Sequence, residues 1–215
     1  MKLLNELSEI LFPSRCFGCS TLGPNICSTC KKTWQLKLYR TQIRNIEVFS
    51  SLAYSPTAQR VILAAKEDGV LPADLLIASA IGNSLRYLLS VSEMGALVPV
   101  PSRRSSSRKR GRDFLGEITH RVGNSHSLDV HQLLEHRLRV RDQSNLNAQQ
   151  RFENLAGALH VPQSKVTRIN NGKNLILVDD LVTTGASLLE AKRALEAAGF
   201  NVIGAVTAFV STPLR

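Results

Sequence analysis

Leu175-Ile176-Leu177-Val178-Asp179-Asp180-Leu181-Val182-Thr183-Thr184-Gly185-Ala186-Ser187 is the stretch on which the reading of this chain turns. An unbroken apolar run ends in two acids, and a short hydroxylated loop follows. A strand buried on both faces reads this way, as strands of parallel sheets do. Downstream, Leu188, Leu189, Ala191, Leu195 and Ala198 fall on one helical face, and Gly199 closes the helix. Val202 to Phe209 is a returning strand. The stretch therefore predicts a βαβ unit with a right-handed crossover, and an α/β fold.

The order of residue types also suggests chemistry. Open α/β sheets bind ligands at strand C-termini. Amides at a helix start are unpaired, and the helix dipole favours an anion there. Thr183, Thr184, Gly185, Ala186 and Ser187 would cradle a phosphate, with Gly185 allowing close backbone approach. Asp179 and Asp180 would accept hydrogen bonds from vicinal ribose hydroxyls and stabilise positive charge at an anomeric carbon. The plainer alternative is a buried strand followed by a helix cap at Thr184 or Ser187.

Working outward, residues 46–101 alternate between strand-like and helix-like segments. Val48 to Tyr54 is rich in β-formers. Pro56 opens a helix through Val61, Ile62 and Ala65 that ends near Gly69. Pro72 starts another, with Leu75, Leu76, Ile81, Leu85, Leu88 and Leu89 on its buried face. Ala96 to Pro101 reads as a buried strand whose two prolines put its end at an edge or an exit.

Residues 102–151 carry eleven Lys/Arg against five acids, within a chain of net charge +10. The run holding Arg103, Arg104, Arg108, Lys109, Arg110 and Arg112 has three readings: a lid over pyrophosphate, a nucleic-acid contact, or a solvated loop. Lys66 either contacts a ligand or complements its helix dipole. Arg151 and Asn154 share a helix face and either bind a ligand or tie that helix to the core. The five histidines show no metal-ligand spacing.

Cys16-x-x-Cys19 and Cys27-x-x-Cys30 are two knuckles that use all four cysteines of the chain. Such a pair suits a closed tetrahedral zinc site with a structural role. Two disulfides or a redox pair are the alternatives. Trp34 and Phe12 are expected to pack against the module.

The Leu175–Ser187 stretch resembles the phosphoribosyl pyrophosphate (PRPP) signature of type I phosphoribosyltransferases. The wider pattern is similar to the ComF/GntX family of competence-associated, phosphoribosyltransferase-like proteins. It comprises the cysteine knuckles, Lys66, Val98-Pro99-Val100-Pro101, and a basic loop with Arg110-Gly111. It continues through Asp142-Gln143 with Leu146, then Arg151, Asn154 and Gly157. One departure is Arg112-Asp113-Phe114, where the family often reads Phe-Asn-Gln after Arg-Gly.

The resemblance implies a type I phosphoribosyltransferase-like parallel sheet with flanking helices over residues 45–215. A helix and zinc-knuckle module would precede it over residues 1–40. It implies PRPP or a related ribose phosphate as ligand, with Mg²⁺ held mainly by the ligand's oxygens, and Lys66 near pyrophosphate. Asp179 and Asp180 would be catalytic, and Arg104, Arg108, Arg110 and Arg112 a flexible basic loop. The implied activity is phosphoribosyl transfer with release of pyrophosphate. The competing reading is a non-catalytic nucleotide sensor or adaptor in competence, handling single-stranded DNA beside a helicase-like partner.

Hydrophobic residues at 43% and charged residues at 20% exclude wholesale disorder and collagen-like structure. No apolar run approaches the ~20 residues of a spanning helix. Glu6 and Glu9 interrupt what would be a signal-peptide core, so an amphipathic helix through Leu3, Leu4, Leu7, Ile10 and Leu11 and a cytoplasmic location are expected.

Overall fold

The computed structural model describes residues 14–102, 111–137, 157–166 and 173–211. The predicted N-terminal helix lies outside them, as do Phe12, Arg103, Arg104, Arg108, Lys109, Arg110, Asp142, Gln143, Leu146, Arg151 and Asn154.

Seven strands and six helices are described. In chain order they are α1 (Ser28–Lys31), β1 (Tyr39–Ile43), β2 (Ile46–Ala53), α2 (Pro56–Lys66), α3 (Leu71–Leu89), β3 (Ala96–Pro99) and α4 (Phe114–His126). There follow β4 (Glu135–His136), β5 (Leu159–His160), α5 (Gln163–Val166), β6 (Asn174–Val182), α6 (Ala186–Ala197) and β7 (Asn201–Val210). The main sheet has five strands in the order β1-β2-β7-β6-β3. Only β1 runs antiparallel to its neighbour; β2/β7, β7/β6 and β6/β3 are parallel. β4 and β5 form a separate antiparallel pair.

The apolar run singled out in the sequence is the inner strand β6. Leu175, Ile176, Leu177 and Val178 are fully buried there. β3 forms the sheet edge, where its proline-rich end costs no ladder bond. α3 packs over β2 and β7, and its Ser84 hydroxyl joins Ser51 at 2.7 Å and the Thr207 carbonyl at 2.8 Å. Those bonds satisfy polar groups that would otherwise be costly to bury.

α3 corrects one expectation. Its buried stripe runs through Ile77, Ile81, Leu85 and Leu88, while Leu75 is exposed. Leu75 precedes Ile77 by two positions, about 200° around a helix, and so faces outward. The strands β1, β4 and β5 and the helices α1, α4 and α5 were not anticipated from the sequence.

The cysteine segment lies against α2. The Arg60 guanidinium donates to the Gly18 carbonyl, and the Thr33 and Thr57 hydroxyls are 3.2 Å apart. At Gly18 a Cβ would sit 2.6 Å from Cys30 Sγ and 3.0 Å from Thr57 Cγ2, so only glycine fits between knuckle and helix. Trp34 turns to the sheet, meeting Phe209 of β7 edge-on at 5.7 Å. Among the described residues no helix is long and apolar enough to cross a membrane.

Candidate functional site

β6 delivers Asp179 and Asp180 to its C-terminal end, where the sequence placed them. The Asp180 side chain is 11% exposed and forms an ion pair with Lys66, the last residue of α2. Lys66 thus bonds across the fold, beyond any service to its own helix end. Asp179 is half-buried, and its Oδ1 accepts the Asp180 amide at 2.9 Å. Burial pushes the Asp179 carboxyl well above the ordinary range. The Asp180 charge adds to that shift and Lys66 opposes it. The pair is therefore short of positive charge, which a divalent cation arriving with a ligand would supply.

Thr183 and Thr184 follow, and α6 begins at Ala186 with Gly185 as its N-cap. Gly185 has φ +75°, the left-handed region that glycine enters without a Cβ penalty. Its Cα also faces β1: a Cβ would lie 2.6 Å from Ile43 Cδ1 and 2.7 Å from Ile43 Cγ2. Glycine is thus required by Ile43 as well as by the turn. The capping alternative is partly realised, since Thr184 Oγ1 accepts the Ala186 amide at a long 3.4 Å. Gly185 brings no side chain to cap α6, which leaves first-turn amides for an anion. Thr183, Thr184 and Ser187 are half-buried beside them.

Arg112, grouped by sequence with the flexible loop, is anchored. Its guanidinium bonds Asp74 at 2.8 Å and Glu117 at 2.6 Å. Burial alone would lower its pKa, but Asp74 and Glu117 outweigh it and hold the charge. Asp74 sits in the first turn of α3 and is 5% exposed, so it needs that counterion. The departure at Arg112-Asp113-Phe114 also resolves into structure. Asp113 caps α4 through the Gly116 amide at 3.2 Å, and its other oxygen accepts from Gln132 at 3.1 Å. Phe114 is 1% exposed, with Lys66 Nζ 5.5 Å and the Arg112 guanidinium 5.6 Å from its ring centre. Sequence reasoning missed Asp74 and Phe114. An acid at a helix start and an aromatic after a charge run are ordinary on their own.

The four cysteines form a second centre, with their sulfurs within 4.8 Å of one another. Cys19 and Cys27 Sγ are 3.6 Å apart, close to the about 3.8 Å edge of a zinc tetrathiolate with ~2.3 Å bonds. Burial raises the Cys16 thiol, but the backbone amides of Cys27, Cys19 and Gly18 outweigh it and bring it down to about 6. Burial and the neighbouring thiols push Cys30 up to about 12. Four converging sulfurs fit Zn²⁺, which would take all four as ligands and supply cross-linking.

Comparison with known proteins bears on the first centre. Adenine phosphoribosyltransferase from Saccharomyces cerevisiae is similar at 12% identity over 80% of this chain and 83% of that one, with a TM-score of 0.42. The Trypanosoma brucei adenine enzyme is similar at 10% identity over 84% and 89%, with a TM-score of 0.46. Orotate phosphoribosyltransferase from Mycobacterium tuberculosis H37Rv shares 16% identity over 82% and 79%, with a TM-score of 0.33. No curated protein matches the chain. The family model of the phosphoribosyl transferase domain matches residues 42–212, from Gln42 of β1 past the end of β7. The match takes in Lys66, both acids and the loop into α6, and on that ground the chain belongs to the phosphoribosyl transferase domain family.

Proposed function

We propose that the chain binds PRPP at the C-terminal end of β6 and transfers its phosphoribosyl group, releasing pyrophosphate. The observation that carries this is the meeting of Lys66 and Asp180, from separate elements, directly ahead of the Thr183–Ser187 turn. It sets a cation for pyrophosphate, carboxylates for ribose and helix amides for the 5′-phosphate side by side. Asp179 and Asp180 accept from the ribose hydroxyls. As the C1–oxygen bond breaks, its electron pair leaves with pyrophosphate, and the nucleophile's lone pair forms the new bond to C1. The carboxylates stabilise positive charge at C1, and the Lys66 ammonium stabilises the departing oxygens. A magnesium ion bound with PRPP would be held mainly by the ligand's oxygens, and would supply charge neutralisation beside Asp179 and Asp180.

Three finer parts belong to the proposal. They are the division into a cysteine module and a transferase domain, a cytoplasmic location, and the ComF/GntX placement with its competence link. The four-cysteine cluster ahead of the matched residues supports that placement.

Calorimetric titration with PRPP and with ribose 5-phosphate, each with Mg²⁺, tests the reading. Asp180→Asn should weaken ribose 5-phosphate binding by about 1–2 kcal/mol, roughly tenfold, as charge-assisted bonds become neutral ones. Wild-type protein that binds neither ligand, nor any nucleoside monophosphate, would overturn the proposal in favour of the non-catalytic adaptor.

A further inference from the structure

We infer that Phe114 is a positioning residue, whose ring holds the Lys66 ammonium at the mouth of the site. The inference rests on the proposed role of Lys66 toward pyrophosphate. Phe114 is 1% exposed, yet it does not meet only aliphatic neighbours. Two cations lie within the ~6 Å over which an aromatic face attracts a cation.

The two cations are held differently. Arg112 is fixed by Asp74 at 2.8 Å and Glu117 at 2.6 Å. Lys66 ends α2 on a flexible four-carbon stem, with Asp180 as its carboxylate partner. The ring itself is buried. It opens α4 immediately after Asp113, which the Gly116 amide and Gln132 both grip.

The ring can therefore stay beneath the ammonium while its anionic partner changes. Without ligand the partner is Asp180. When pyrophosphate arrives, Lys66 turns to it and releases Asp180 to the ribose hydroxyls. Phe114 limits the arc of that turn, so the lysine moves between two nearby anions and does not swing into solvent. This gives the sequence departure at Arg112-Asp113-Phe114 a function: cap, ring and ring-side cation in consecutive positions.

The test uses the full chain with 3,4,5-trifluorophenylalanine at position 114, which keeps the shape while draining the ring's negative face, and separately Phe114→Leu. In ligand-free protein, trace acetylation of Lys66, read by mass spectrometry, should be about two- to tenfold faster in both variants. Other lysines should be unchanged, and the fluorinated protein should melt like wild type. Should Phe114→Leu fail to fold, the fluorinated variant decides alone. Equal Lys66 labelling in wild-type and fluorinated protein would overturn the inference.

Calorimetry with inorganic pyrophosphate and with ribose 5-phosphate, each with Mg²⁺, supplies the second arm. Pyrophosphate should bind more weakly by a similar factor, and ribose 5-phosphate should be unaffected. Equal weakening of both would reveal a merely structural ring and overturn the inference. Faster Lys66 labelling in a protein whose wild type binds neither ligand would support the ring's hold on lysine and overturn the PRPP reading.

Discussion

Gly185 offers a perturbation whose size can be worked from the structure. Gly185→Ala places a Cβ at φ +75°, which costs an L-residue about 1–2 kcal/mol. The same Cβ lands 2.6 Å from Ile43 Cδ1 and 2.7 Å from Cγ2, and overpacking of this kind costs about 1–3 kcal/mol. The variant should therefore lose about 2–5 kcal/mol and still fold. Ile43→Ala alone should cost about 2–4 kcal/mol, because Ile43 is only 9% exposed. Combining them removes the clash and keeps the backbone strain. The double variant should be about 1–3 kcal/mol more stable than additivity allows. Urea denaturation at constant m value measures all four proteins. Additivity within about 0.5 kcal/mol would refute the packing argument.

Two further predictions follow from charge. Asp179 has its pKa raised in the folded state, so its favourable contribution is complete below the unfolded carboxylate value and is lost as pH rises through the folded value. Asp179→Asn cannot ionise, so it should be the more stable protein at neutral pH, by about 1 kcal/mol. The gap should close toward about pH 4, and thermal melts showing a pH-independent difference would contradict this. Protein purified without added metal should contain about one Zn²⁺ per chain. Cys16→Ser or Cys27→Ser should lose the metal while circular dichroism retains the α/β signal. Elemental analysis that finds no zinc, with two disulfides in its place, would count against the cluster as a metal site.

The βαβ core was legible because β6 is buried on both faces from Leu175 to Val178, with no polar residue between Asn174 and its two acids. The reading was weaker where burial is partial. At the start of α3, leucines fall on both sides of the helix, and an apolar list alone put Leu75 inward. β1 carried a faint signal: Tyr39, Thr41 and Ile43 alternate with exposed Arg40 and Gln42. The β4/β5 pair is two residues on each side, too short for any period. The phosphate turn and the acids were legible as a contiguous pattern. Asp74, Phe114 and the Ile43–Gly185 contact were not, because each becomes informative only through a partner far away in the chain. Arg112 looked like its neighbours in a run of cations. Its distinction is a buried carboxylate on another helix.

Trp34 is the sole tryptophan of the chain, and its ring stands edge-on to Phe209 at 5.7 Å. Phe209 is in register with Leu181, the residue after Asp180. Fluorescence excited at the red edge therefore has a single emitter, located where the cysteine segment meets the sheet. Its colour and polarisation report that junction, whereas ellipticity averages over every helix and strand. When the two signals fall together on heating, the cysteine segment and the sheet are melting as one cooperative body. When emission shifts first, the segment is peeling from a core that is still folded. The chain thus carries its own optical gauge of how firmly its two parts are joined.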